Sequence, residues 1–397
     1  MGTVFDYLDW RGDLTFEASP PNEVDCLILS MLSYIDFTEI VPTIDDRGEI
    51  SLADAAAAFF SKYPTPRDYP MGILIPKQII RLFERLRDTP RFRDVRMCAF
   101  VNDTDVEREI QFSAVTFLVK ASTAIVAYRG TDDTLVGWKE DLNMTFLLAV
   151  PSQLSAVEYL ERVAQCHGGE IILTGHSKGG NLAVYAAVHA ASELRDRIVQ
   201  VYSHDGPGFG HCILDEPAYL EMRPRMHSIV PQSSVVGMLL EHDENYTVVK
   251  SRQKTGFLQH NGLSWEVMGA SFVHLEEVSA ESRRIDKTVN QWIRDMTPEQ
   301  REEFSEAVYR LFSVDGARTL TDFVSVRKKW LAHSKSLDPE VHKTVQKMLS
   351  SLIKLNTKEI VGGFLGRGDA KTLKEELIPQ IEESQQELPL FDENESV

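Results

Sequence analysis

The sequence predicts an α/β fold, a mostly parallel sheet with helices on both faces, plus helical additions at its N-terminal and C-terminal ends. Three observations predict it. From about Phe112, short β-rich runs alternate with stretches of helical periodicity, the pattern of strands joined by covering helices. Before that region, and again after about Glu276, apolar residues recur three and four apart, as on amphipathic helices. Finally, one apolar strand runs directly into a Gly-x-Ser-x-Gly turn and then into a helix-forming segment.

The N-terminal addition, residues 1–100, reads as a helical annex packed on the core. Apolar residues cluster at helical spacing from Asp25 to Ile35 and from Pro76 to Leu86, and Ser51 with Asp54 forms a capping box for an Ala-rich helix reaching Phe60. In the core, residues 101–275, Phe112 to Val119 and Thr123 to Tyr128 read as a hairpin around Lys120-Ala121-Ser122. Further strands are expected at Ile171-Ile172-Leu173, Ile198 to Tyr202, His227 to Val230 and Tyr246 to Lys250, with helices at Ser152 to Gln165 and Leu182 to Ala191. Residues 276–374 form a C-terminal helical region, with helices over Arg301 to Phe312, Leu320 to His333 and Val341 to Leu355. The run Gly362 to Gly368 lacks the Gly-Lys-Ser/Thr ending of a phosphate loop and reads as a helix-ending turn. Residues 375–397, rich in Glu and Gln with Pro379 and Pro389, read as a flexible acidic tail.

Bulk properties narrow the function. A net charge of -18 over 397 residues argues against nucleic acid as a partner, because phosphate affinity requires clustered Lys and Arg. Cys26, Cys98, Cys166 and Cys212 form no Cys-x-x-Cys pair, which argues against a zinc ribbon or a disulfide framework. His204, His211, Cys212 and Asp215 match no familiar metal spacing, so neither metal nor other cofactor is expected. The start has no basic and apolar leader, and no apolar run is long enough to span a bilayer, so a cytoplasmic protein is expected.

The chemistry points to Ser177. In Glu170 to Ala183 the strand, the Gly175-His176-Ser177-Lys178-Gly179 turn and the following helix meet the requirements of a nucleophile elbow, which makes the core α/β-hydrolase-like. Gly175 and Gly179 remove side chains that would clash where strand and helix pass. The Lys178 N–H, at the positive end of the helix, is one expected oxyanion donor. Its side chain reads as a contact for an anionic head group, as an aid to the electrostatics near Ser177, or as a solvated or salt-bridged lysine. Upstream, a strand ends at Arg129-Gly130-Thr131, and Thr131 is the candidate second donor, through its backbone N–H together with its hydroxyl, with Asp141 holding the loop through Arg129 or a backbone N–H.

A serine nucleophile needs a base and an acid, in this fold usually in the order Ser, acid, His. Asp205, in a Gly- and Pro-rich turn after the strand ending near Tyr202, is the candidate acid, and Asp243 the alternative. His260 is the candidate base, with His242, His227 and His274 as rivals.

These residues resemble the class 3 lipases, whose pattern includes a strand ending in Arg-Gly-Ser/Thr, a downstream Trp and Asp-Leu, and a Gly-His-Ser-x-Gly-Gly elbow. Here they are Arg129-Gly130-Thr131, Trp138, Asp141-Leu142 and Gly175 to Gly180. More closely, the chain resembles an uncharacterised bacterial family of lipase-like hydrolases, the Mbeg-like family. It shares Asp6-Tyr7-Leu8, Trp10-Arg11-Gly12-Asp13, the elbow run through Asn181, and Asp205-Gly206-Pro207-Gly208-Phe209. The resemblance implies an α/β-hydrolase fold and carboxylester hydrolysis. One departure concerns the acid: class 3 lipases carry it after the next strand, where this chain has Val230-Pro231-Gln232-Ser233-Ser234-Val235 without a carboxylate. Asp205 instead resembles the acid of pancreatic-type lipases.

The expected function is hydrolysis of a small-molecule or lipid-like acyl ester through an acyl-enzyme, with Val235 to Leu240 helping to shape an acyl pocket and transient contact with a membrane surface fitting such a substrate. Acyl transfer or thioester cleavage by the same triad, and a lipase-like binding scaffold without activity, are the alternatives. Sequence leaves the oligomeric state open.

Overall fold

Strand pairing builds the molecule outward from one sheet. The computed structural model describes residues 2–323 apart from 66–68, 73, 211, 212, 244 and 255, and among these a nine-stranded sheet follows the order of the chain. β1 (Glu49–Ser51), β2 (Arg96–Asp105), β3 (Ile110–Lys120) and β4 (Thr123–Tyr128) pair antiparallel. From β4 the sheet turns parallel through β5 (Glu170–His176), β6 (Ile198–His204), β7 (Met226–Pro231) and β8 (Tyr246–Val249). A small ribbon of β9 (Val267–Met268) and β10 (Ser271–Phe272) precedes β11 (His274–Leu275), which closes the edge antiparallel to β8. The sheet is therefore mixed, with its parallel strands gathered in the centre, and the α/β-hydrolase-like class expected from sequence holds.

Helices cover both faces. α1 (Val4–Arg11), α2 (Glu23–Leu32), α3 (Leu52–Lys62) and α4 (Gln78–Asp88) come first, then α5 (Leu135–Asn143), α6 (Pro151–Cys166), α7 (Lys178–His189), α8 (Ser192–Arg195) and α9 (Pro217–Met222). α10 (Gly256–Gln259), α11 (Ala280–Asp295) and α12 (Pro298–Phe312) follow. All six residues of β4 are buried, which is what a strand covered on both sides requires. Its period-two alternation divides them: Ile125 and Ala127 join Leu27, Phe83 and Ile172 on one face, while Val126 and Tyr128 join Tyr159, Leu173 and Leu182 on the other. The first of these cores includes Val4, Leu27, Phe59 and Phe83, so the N-terminal helices and the sheet share one apolar interior. Ser51 caps α3 by accepting the Asp54 N–H at 3.0 Å, as its sequence predicts.

Two departures from the expected elements have physical causes. β2 begins at Arg96, inside the stretch read as helical annex. Its alternation is broken by an irregularity between Cys98 and Val101, where Ala99 takes φ 55, and that break hides the strand from a period-two reading. α11 lies in the region expected to be helical from Glu276, but its bounds are not legible in the sequence, because its buried residues Ser282, Ile285 and Asn290 include only one apolar side chain. The predicted helices beyond residue 323, the Gly362 to Gly368 turn and the acidic tail lie outside the described residues. Among the described residues no helix is long and apolar enough to cross a membrane.

Candidate active site

Parallel register brings the candidate residues to one end of the sheet. Tyr128 pairs with Gly175 and His176 with His204, so the loops that start at Arg129, Ser177 and Asp205 leave adjacent strand ends side by side. Ser177 adopts φ 58 and ψ -133, a strained conformation for a residue with a side chain, and it opens α7 directly. The elbow needs its glycines: a Cβ on Gly175 would stand 2.0 Å from Gly179 O, and one on Gly179 2.1 Å from Tyr128 O. A Cβ on Gly130 would lie 3.1 Å from Ser177 Cβ, which shows how closely the Arg129 loop approaches the serine.

Asp205 is fully buried with φ 51, and its N–H is fixed by Ile229 O at 2.7 Å. Its Oδ2 accepts the His260 Nδ1–H at 2.6 Å, while Oδ1 accepts the Ser234 hydroxyl at 2.5 Å and the Gly237 N–H at 3.1 Å. The loop after β7, whose first residues up to Val235 hold no carboxylate, thus contributes donors to the carboxylate of the preceding loop. With Nδ1 protonated toward Asp205, His260 Nε2 is left as the basic nitrogen of a neutral ring. Asn181 ties the Asp205 loop to α7 by donating to Gly208 O at 2.7 Å, and Gln153 Nε2 in turn donates to Asn181 Oδ1 at 2.8 Å.

His260 is held from behind by His176. His176 Nε2 donates to His260 O at 2.6 Å, since a carbonyl can only accept, and Nδ1 then accepts from the Tyr34 hydroxyl at 3.0 Å. Ring centroids of the two histidines lie 4.5 Å apart. Ser177, next to His176, is half-buried, and among the described residues its Oγ makes no hydrogen bond, to His260 or to another group. Such bonds are often long before substrate closes the site.

Burial holds His176 well below the usual imidazole range and pushes His204 down to about 4, against the carbonyls of Glu23 and Gly175. The unfolded chain, with ordinary imidazoles, therefore takes up protons first as pH falls. This contribution to stability is present above pH ~6.5 and lost toward pH 4, at up to about 1.4 kcal/mol per pH unit for each ring. The urea midpoint is expected to fall between pH 7 and pH 5, and to fall less in His204→Gln; equal slopes would contradict this assignment.

The remaining candidates sort themselves by partner. Thr131 donates its hydroxyl to Asp141 Oδ2 at 2.6 Å, so Asp141 does hold the loop, though not through Arg129, whose Nη2 pairs with Asp132 and Asn102 at 3.0 Å each. Burial pushes Asp141 up to about 6. Neither the Thr131 N–H nor the Lys178 N–H is taken by a protein acceptor among the described residues. Lys178 is a buried, salt-bridged lysine rather than an exposed head-group contact, with Nζ 2.9 Å from Glu140 Oε2. Asp243 pairs with Arg223 at 2.5 Å and does not reach His260. Of the rival bases, His242 contacts Leu240 O, His227 bonds Gln200, and His274 faces Glu23. Gly237, Met238 and Leu240 are buried, so the stretch expected to shape an acyl pocket is largely committed to packing. Among the described residues no group of three or more His, Cys, Asp or Glu could hold a metal ion, and His211 and Cys212 lie outside them.

Tyr34, Ser234 and Gln153 were not singled out by sequence. Ser234 carried a faint signal, as a hydroxyl in the loop where a carboxylate was missing; Tyr34 carried none.

The Mbeg1-like family model matches residues 86–310, a span that includes Thr131, Ser177, Lys178, Asp205 and His260. Among solved structures the chain is similar to the native lipase propeptide complex of Rhizomucor miehei, at 15% identity over 45% of this chain and 70% of that one, with a TM-score of 0.33. No curated protein matches it.

Proposed function

The chain belongs to the Mbeg1-like family, and on that premise we propose that it is a lipase-like serine hydrolase that cleaves a carboxylic ester through an acyl-enzyme on Ser177. The observation that carries this reading is the buried Asp205 carboxylate bonded at 2.6 Å to His260 Nδ1, beside a serine in a strained elbow. In the proposed reaction His260 Nε2 takes the Ser177 proton as Oγ attacks the ester carbonyl carbon. The resulting imidazolium is stabilised by Asp205 and returns the proton to the leaving alkoxide as the acyl-enzyme forms. Water, deprotonated by the same nitrogen, then attacks the acyl carbon, and the acid product leaves with Ser177 restored. The N–H groups of Lys178 and Thr131 are the oxyanion donors, each free of protein acceptors among the described residues and each worth about 3 kcal/mol in such a role. A lipid-like ester fits the exposed Leu147, Leu148 and Leu154, which follow α5 in the chain and offer an apolar contact for a membrane or aggregate surface.

The test is chemical. A fluorophosphonate probe is expected to modify the protein once, on the peptide containing Ser177, and nitrophenyl esters are expected to turn over with a preference for longer acyl chains. A protein inert to the probe, or labelled on another serine, overturns the reading.

A further inference from the structure

The ammonium of Lys178 has no part in the proton transfers above, yet it stands between the supports of both oxyanion donors. Nζ donates to Gln111 O at 2.9 Å, Gln111 Oε1 at 2.8 Å and Glu140 Oε2 at 2.9 Å, so all three protons are engaged. Glu140 and Gln111 are fully buried and Lys178 is 1% exposed. Glu140 also accepts the Gln111 N–H at 3.0 Å and the Ser152 N–H at 2.7 Å, which ties β3, α5, α6 and α7 to one point. One residue further along α5, Asp141 Oδ1 lies 4.0 Å from the same Nζ and has no hydrogen-bond partner among the described residues. Its other oxygen holds the Thr131 hydroxyl.

We propose that Lys178 is a positioning residue for the oxyanion pocket, its side chain coupling the N–H it carries at the head of α7 to the N–H of Thr131 through Asp141. This rests on the hydrolase reading above. Two adjacent carboxylates, Glu140 and Asp141, converge on a single buried cation, and the cation keeps the second one able to hold Thr131 as a charged acceptor. Charge-assisted hydrogen bonds are roughly twice as strong as neutral ones, so protonation of Asp141 loosens the Thr131 loop. The groups facing Asp141 are Lys178 from α7, Thr131 and Asp132 from the loop, Glu140 from its own helix and the buried Tyr34 hydroxyl from the segment after α2. Burial raises its pKa most, Lys178 is the largest opposing influence, and the Thr131 bond adds to that opposition; Glu140 and Asp132 raise it further.

Lys178→Met alone leaves Glu140 buried without its cation and is expected to unfold readily. The informative variant is therefore Lys178→Met with Glu140→Gln, which removes the pair together. Three quantities decide: thermal midpoint, titration of the Asp141 carboxyl by carbon NMR, and kcat and KM on a nitrophenyl ester across pH. The double variant is expected to recover most of the stability lost in the single one. Asp141 is expected to titrate above its parental value near 6, because the lost influence of Lys178 exceeds that of Glu140. At neutral pH kcat is expected to fall about tenfold or more, with KM within about twofold, as for a loss felt only in the transition state. Recovery of kcat together with stability, or an unmoved Asp141 titration, overturns the positioning role while leaving the hydrolase reading intact. A parent inert to the fluorophosphonate overturns both.

Discussion

Ser177→Ala is expected to lower kcat on nitrophenyl esters by about six orders of magnitude, and Asp205→Asn by about four. The second figure is the more informative, because asparagine preserves shape and only part of the hydrogen bonding. Asp205 Oδ2 accepts from His260 Nδ1 at 2.6 Å, and Oδ1 accepts from Ser234 and Gly237. In the Asp205→Asn variant the amide has one acceptor oxygen for these three donors. If the Ser234 and Gly237 donors keep that oxygen, the amide nitrogen faces His260, which must then offer Nδ1 as an acceptor and carry its proton on Nε2. The base is thereby blocked toward Ser177. Fluorophosphonate labelling is expected to slow in parallel with kcat, while KM changes little and the fold survives. An Asp205→Asn variant with parental kcat would remove Asp205 from the triad, and the pairing with His260 would then be structural.

How far the sequence revealed this arrangement depended on how local each signal was. Ser177 was legible because strand, glycine turn and helix are contiguous, and the strain at φ 58 is what that contiguity encodes. Asp205 and His260 were reached through chain order, and the parallel register explains why order works: pairing of His176 with His204 sets residues 177 and 205 at neighbouring strand ends. Tyr34 was invisible, since it meets His176 across 142 residues of sequence and nothing around it differs from an ordinary helix end. Lys178 was half legible. A charge in sequence reads as solvated, because lysine is almost never fully buried unless paired. Its partner Glu140 lay 38 residues away within an unremarkable acidic pair. β2 was lost for a different reason, the irregularity at Ala99, which erases periodicity without erasing the strand.

The N-terminal helices hold the largest stability prediction. Arg91 and Asp25 form an ion pair with neither side chain exposed, Nη2 to Oδ2 at 2.5 Å and Nε to Oδ1 at 2.8 Å. The remaining guanidinium protons reach Leu14 O at 2.7 Å, Ser19 O at 3.1 Å and Pro20 O at 3.2 Å, and the group stacks over Phe16 at 4.1 Å. Tyr7 adds a hydrogen bond to Asp25 at 2.7 Å. One planar cation thus satisfies the loop between α1 and α2 and anchors it to the segment after α4. Arg91→Met is expected to cost about 3–5 kcal/mol, because it leaves Asp25 buried without a counterion and strips three carbonyls of their donor. Arg91→Lys is expected to recover only part of this, since a point charge cannot make the fork to Asp25 and reach the carbonyls as well. Arg91→Met combined with Asp25→Asn is expected to cost less than Arg91→Met alone, because no uncompensated charge remains. Urea unfolding of the four proteins measures each step, and a lysine variant equal to the parent would refute the geometric argument. The loss also reaches the catalytic end: α2 leads into Tyr34, whose hydroxyl orients His176 behind His260. Probe labelling of Arg91→Met is therefore expected to fail at lower urea than labelling of the parent, in step with unfolding of the N-terminal helices.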